Sequence, residues 1–421
     1  MSLASGNTDK IYGLADSAGR SLFRLISAII VARLCGPSMY AVYVLCITIE
    51  TVATAIPNAV NLSPMLSIGP GLPDEYRESF LYRVAKRHLR WSLLLACIGV
   101  GFAPFLIEES LSFWTWAAFG CALFTSGILN GARSRQQARF RSRSVFWADF
   151  VGMGLPLLAI TMCFGAAPDV LLTAYFGAMA IGFLIAALAL NRERPEPVDI
   201  PADVMTRFAK MGPPMATGSV ANSICSRVQP FVLQGAAGAA AVGVFGAAAT
   251  TIGPMRLLAM ALSSVVRPRL ALHAGRGNQP AAWTMLNKVC CLLAACGLAG
   301  VLGAWLIGEW LILTVFGPEF AIVGQLLPLA FVFAGLEATA AIMVVALQTL
   351  HENGAATATR LRVGVSMLAL IIVWPACYYA SAAGAFTALC ATELLFLLLA
   401  YHAMHHPADS LSAPEPEGAS S

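Results

Sequence analysis

The chain has 421 residues, of which 58% are hydrophobic and only 11% charged, where a soluble domain carries roughly a quarter. Apolar stretches of the ~20 residues needed to cross a bilayer recur along its whole length, so the composition excludes a soluble enzyme and describes an integral membrane protein. The net charge of +4 is modest, and its distribution says more than its size.

The first residues, MSLASGNTDK, are polar. The helix that follows is long and charged, with no small-residue cleavage site, so a removed signal peptide is not expected. Cutting the chain at Gly, Pro and charge clusters predicts about twelve spans, near 11–34, 39–66, 89–107, 111–131, 145–165, 168–190, 206–233, 239–263, 289–315, 320–349, 358–380 and 384–404. The first carries Asp16, Arg20 and Arg24 four residues apart, which places them on one helical face. The second contains AIPNAVNLSPML, where Pro57 and Pro64 each remove a backbone hydrogen bond and Asn58 and Asn61 can satisfy the freed groups. That stretch reads as a hinge or cavity-facing break, or as an ordinary kink; the Pro213-Pro214 pair is a similar case.

The connections alternate in character. Four are basic, with Arg77, Arg83, Lys86 and Arg87; Arg133, Arg135, Arg139, Arg141 and Arg143; Arg192 and Arg194; and Arg267, Arg269, Arg276 and Lys288. The connections between them are short, lack Lys and Arg, and carry Glu108, Glu109 and Glu319 instead. Positive residues stay on the cytoplasmic side, so an even number of spans puts both termini inside. The run ARSRQQARFRSRS, 132–144, can fix orientation or lie on the inner leaflet and gather anionic lipid-linked substrate; no soluble module accompanies it, so no nucleic acid is expected.

The polar connection 191–205 divides the chain into an expected N-terminal six-helix bundle, 1–190, and a C-terminal one, 206–404, with a disordered cytoplasmic tail at 405–421. The turn LCGPSMYAVYVL has an echo in QGAAGAAAVGVFGA, Gly36 matching Gly238 and Val42-Tyr43 matching Val244-Phe245. Halves related by an axis along the membrane normal are a recurrent transporter design. The eleven cysteines lie mostly in apolar runs and read as small buried hydrophobes. The Cys290-Cys291 pair lacks metal-ligand spacing, and no metal or cofactor is expected.

The motif AIIVARLCGPSMYAVY resembles the first-hairpin signature of the polysaccharide flippases, in the superfamily that also holds multidrug and toxin extruders and lipid-linked peptidoglycan precursor flippases. VFGPEFAIVGQLLPLAF, 315–331, resembles that family's ninth-to-tenth helix junction, and VGVFGAAATTIGPMRLLAMALSSVVRPRLA its eighth helix. The resemblance implies an all-α membrane protein, two six-helix bundles around a central cavity. It implies alternating access at a bacterial inner membrane and turnover of an undecaprenyl-pyrophosphate-linked oligosaccharide for a surface polysaccharide. The family carries no catalytic motif, so no enzyme activity is implied; a polymerase and glycosyltransferases of the same pathway are the implied partners besides membrane lipids.

Flipping a pyrophosphate-linked sugar needs cations inside the membrane, and arginine suits that task because it stays charged and offers several donors to phosphate. Arg20, Arg24, Arg227 and Arg256 are the candidates for substrate binding, since an intramembrane arginine is a site hypothesis by default. Asp16 and Arg20 can instead be an i, i+4 ion pair, and Arg33 snorkels outward. Asp16, Glu50, Glu337 and Glu393 are the candidates for ion coupling, because a carboxylate in a cavity can exchange a proton near neutral pH; the alternative is that each pairs with an arginine across the bundle. The competing functions are a multidrug or organic-cation extruder, whose cavity should favour acidic residues, and a polysaccharide polymerase or ligase, which should show a sizeable outer loop with Arg or His. No Gly-rich Lys-Ser/Thr phosphate loop occurs, which disfavours an ATP-driven exporter.

Overall fold

In the computed structural model, which describes residues 3–107, 109, 111–139, 141–191, 198–275, 278–350 and 354–405, all regular structure is helical. The helices are α1 (Leu3–Pro57), α2 (Ser63–Ile68), α3 (Asp74–Leu106), α4 (Phe113–Ala138), α5 (Ser142–Met162), α6 (Pro168–Leu190), α7 (Ala202–Arg227), α8 (Gln229–Ala237), α9 (Ala239–Thr251), α10 (Gly253–Gly275), α11 (Gln279–Val315), α12 (Ala321–Leu350) and α13 (Gly354–His405). Seven of the described helical segments are long and apolar enough to cross a membrane, and the bent pair Ala239–Thr251 and Gly253–Ser263 makes an eighth. Two of the seven, Ala18–Ile68 and Ala356–His405, have 51 and 50 residues, enough for two crossings each at 1.5 Å per residue. Each is interrupted by non-helical backbone, at Gly36 and at Ala380-Ser381. With α4 and α7–α8 this accounts for the twelve spans read from the sequence, and the chain is a multi-pass membrane protein.

The basic connections are not loops throughout, and this corrects the span limits. Arg77, Arg83, Lys86 and Arg87 belong to α3, which starts fifteen residues before the expected 89; Arg133 and Arg135 belong to α4, and Lys288 to α11. Hydropathy marks only the stretch suited to hydrocarbon, whereas Arg and Lys are good helix formers and let a helix run on. Arg192, Arg194, Arg276, Glu108 and the expected disordered tail from 406 lie outside the described residues.

Packing divides the chain into two compact units, one made of Met1–Thr251 with Glu309–Gly324, the other of Ile252–Gly308 with Gln325–Ser421. In the first unit α1 is the hub, in contact with α3, α5, α7 and α9, while α6 packs on α4 and α5. Phe80, Leu81, Val84, Leu62, Met65 and Phe208 form a local core that draws the start of α7 against α2 and α3. The end of the 191–205 connection is held there too, Val198 N donating to Ser79 Oγ at 2.9 Å.

Three turns of the first unit share one backbone conformation. Gly36 (φ 72°, ψ 175°), Gly238 (φ 81°, ψ 176°) and Gly317 (φ 104°, ψ 172°) each sit between two helical stretches, in a region open essentially to glycine alone. The match between Gly36 and Gly238 proposed from sequence is therefore conformational as well. The turns are close: Arg33 Nη2 donates to Thr314 O at 2.8 Å, and α9 meets the first turn so tightly that a Cβ on Gly243 would lie 2.2 Å from Pro37 O. Gly243→Ala is expected to lower the thermal unfolding midpoint by an amount equivalent to about 1–3 kcal/mol of overpacking. Gly177→Ala, where an added Cβ meets nothing within 4 Å, is expected to raise it slightly through helix propensity. A thermal melt of the purified variants in detergent checks the opposite signs.

Candidate functional site

The break predicted at Pro57 is present and specific. α1 ends there, Asn58–Leu62 form one wider π-helical turn, and α2 resumes with Pro64 in its first turn. Asn61 Nδ2 donates to Pro57 O at 3.1 Å, satisfying a carbonyl that the break would otherwise orphan. Asn58, one residue after the break, faces a cavity.

That cavity has a volume of about 270 Å³ and lies in the first unit between α1, α4, α5 and α6. Arg20, Arg24, Glu50, Arg133 and Asp149 line it, with Asn58, Ser126 and Asn130 among the neutral polar groups. Arg20 and Arg24 thus share the face expected from their spacing. Asp16 is buried beneath Arg133, which donates to Asp16 Oδ2 at 2.7 Å and approaches Asp149 Oδ2 through Nε at 2.8 Å. Arg20 lies 3.7 Å from the same Asp149 oxygen. The simple i, i+4 pair between Asp16 and Arg20 gives way to partners on other helices.

Arg24 is held differently. Its Nη2 is 3.4 Å from Glu50 Oε2, and its side chain is 42% exposed while that of Glu50 is 5% exposed. Glu50 has a second partner, Ser126, whose hydroxyl donates to Oε1 at 2.8 Å. The cavity lining therefore combines three guanidinium groups with two carboxylates, and Asp16 lies behind Arg133. Arg133 is locked between two aspartates, and Arg24 has a loose partner and an open side.

In the second unit, Arg256 on α10 donates through Nε to Glu337 Oε2 on α12 at 2.7 Å and lies over Phe333, 5.9 Å from the ring centre. Within α13, Arg362 donates to Glu393 Oε2 at 2.6 Å and lies 5.0 Å from the centre of Phe396. Each carboxylate has an aromatic ring about one turn away on its own helix, so each arginine rests on both a charge and a π-face. Glu50, Glu337 and Glu393 all meet arginines, the alternative stated for them above. Arg227, the last residue of α7, is exposed and is not part of the cavity lining.

Two of the cavity's charged residues were not selected from sequence. Asp149 sits in the apolar run FWADFVGMG, and the rule that singled out Glu50 applies to it equally. Arg133 was grouped with a basic connection, yet it, Arg135 and Arg139 are folded into the bundle, with side chains 10%, 2% and 7% exposed, the last two pairing with Glu78. The run ARSRQQARFRSRS is therefore partly an interior element. Among the described residues no group of His, Cys, Asp and Glu could hold a metal ion.

No protein-family model and no curated protein matches the sequence. Solved structures do. An inward-facing multidrug-resistance MATE family transporter of the MOP superfamily superposes with a TM-score of 0.75 at 14% identity, over 93% of this chain and 96% of the other. The lipid II flippase MurJ, in an inward closed conformation, gives 0.73 at 12% identity, over 94% and 87%. An outward-facing MATE transporter gives 0.62 at 17%, over 94% of each chain. The chain has the MATE/MurJ fold. The superfamily resemblance carried by three short motifs is thereby borne out as fold across nearly the whole chain. Within the MATE/MurJ fold, the charges described above occupy the interior of helices that a membrane would surround, where an unpaired arginine is costly.

Proposed function

We propose that the chain is a transporter of the MATE/MurJ fold that turns over an undecaprenyl-pyrophosphate-linked oligosaccharide across the bacterial inner membrane, both termini cytoplasmic, for export of a surface polysaccharide. The observation that carries this reading is Arg24, a guanidinium set inside the helices with one open side and one long ion pair. A cavity of about 270 Å³ holds roughly nine waters' worth of space, which suits a phosphate-sized group and leaves the sugars outside it. Arg24, with Arg20 beside it, receives the pyrophosphate charge; Arg256 is the separate candidate of the second unit.

Glu50 retains Ser126 when an anion takes over Arg24, and is then free to accept a proton, which makes it the leading coupling group; Asp16, Glu337 and Glu393 are the others. The break between Pro57 and Pro64 serves as the hinge. A cation extruder of the same fold would use the same carboxylates with the arginines removed from play. Deletion of the gene followed by analysis of lipid-linked intermediates separates the two. Accumulation of complete, cytoplasm-facing repeat units supports the flippase, whereas normal glycans with lost drug resistance overturn it in favour of the extruder.

A further inference from the structure

Behind the cavity wall, α3 inserts one buried polar group between α1 and α4. His88 is 1% exposed. Its Nδ1 is 3.2 Å from Pro57 O, the carbonyl at the α1 break, and its Nε2 is 3.1 Å from Gly127 O on α4. Ser92 Oγ, one turn further along α3, is 3.2 Å from the same Nε2. The sequence prepares this approach with Gly127-x-x-x-Gly131, small residues that let helices close up in a membrane. A Cβ on Gly127 would lie 2.4 Å from Ser92 Cβ, and one on Gly131 3.2 Å from His88 Cδ2.

We propose that His88 is a proton-controlled tie between the α1 hinge and the α4 wall of the cavity. A neutral imidazole has one N–H and one lone pair, whereas the imidazolium has two N–H groups. Both ring nitrogens face carbonyl oxygens, which only accept. Either neutral tautomer sets a nitrogen lone pair against a carbonyl oxygen at 3.1–3.2 Å, while the imidazolium donates to both. When the proton leaves, the Ser92 hydroxyl donates to Nε2, the ring keeps its bond to Pro57 O, and Gly127 O is released. α4 then loses its tie to the hinge on the helix that carries Ser126, Asn130 and Arg133 into the cavity.

The groups facing the ring are uncharged: Pro57 O from α1, which also accepts from Asn61, Gly127 O from α4, and Ser92 from α3. Among the described residues the imidazole's hydrogen-bond partners include no Asp, Glu, Lys or Arg; Glu50 of α1 and Arg133 of α4 face the cavity instead. His88 is thus a positioning residue, and it acts whatever the transported molecule is.

The test is ¹⁵N NMR of the full chain labelled at its six histidines in lipid nanodiscs, the His88 signals being those displaced by Ser92→Ala. Alongside it, hydrogen exchange is read at residues 58–65 and 124–131, corrected for the intrinsic effect of pH. The expected result is protonation of both His88 nitrogens where these segments are protected, and at least a tenfold loss of protection in 124–131 as the ring deprotonates. Ser92→Ala, which removes the competing donor, should move that loss to higher pH, and His88→Gln should make protection independent of pH. A neutral ring throughout the protected range, or an unchanged pH profile in Ser92→Ala, overturns the proposal; neither readout depends on the substrate.

Discussion

Arg133→Met is expected to destabilise the protein by about 3–5 kcal/mol, the cost of leaving a buried charge without its partner. Arg133 is 8% exposed and bridges Asp16 and Asp149 at 2.7 and 2.8 Å. Its loss leaves two carboxylates facing each other, with only Arg20 near Asp149 at 3.7 Å. Adding Asp16→Asn to Arg133→Met is expected to recover much of the loss, because the double variant has one fewer orphaned charge to bury. Thermal unfolding in detergent reads both effects. A single variant that melts with the wild type would show that the bridge contributes nothing.

Arg24→Gln should behave in the opposite way. Its ion pair is long and its side chain 42% exposed, and Glu50 keeps its bond from Ser126, so the stability change should be clearly smaller than that of Arg133→Met. Export of the polysaccharide, by contrast, should fall at least tenfold at unchanged protein level, a loss of about 1.4 kcal/mol or more in transition-state terms. Arg256→Gln is expected to follow the same pattern. Intact export in both variants would remove the arginines from the transport hypothesis. Arg133 and Arg24, two arginines of one cavity, thus separate into a structural and a functional role by measurement.

Much of this was legible in the sequence, for identifiable reasons. Hydropathy over about twenty residues is set by the bilayer, so most of the spans could be placed before any coordinates, and the glycine turn at 36 and its echo at 238 depend on backbone sterics that a single residue announces. Ends were less legible. α3 starts at Asp74 because helix propensity tolerates the arginines that a hydropathy cut treats as loop. Least legible was the choice of partners. Four-residue spacing put Asp16, Arg20 and Arg24 on one face, but nothing local says that Asp16 meets Arg133 across 117 residues. His88 was invisible for the same reason, since its meaning comes from two carbonyls on other helices and carbonyls have no signature in sequence.

The charge network also constrains how the protein is made. α1 reaches the membrane with Asp16 and Arg20 aboard, and it does so long before their partners Arg133 and Asp149 have been translated. At the ~5–20 residues per second of synthesis, the 117 residues between Asp16 and Arg133 correspond to roughly 6–23 s during which the nascent first helix carries Asp16 and Arg20 without their native partners. Over that interval it is held by its own apolar second half and by whatever shelters it at the insertion site, and it settles only when α4 and α5 arrive. Substitutions at Asp149 or Arg133 would therefore act first on the newborn chain, as premature degradation, before any finished transporter exists to be slow.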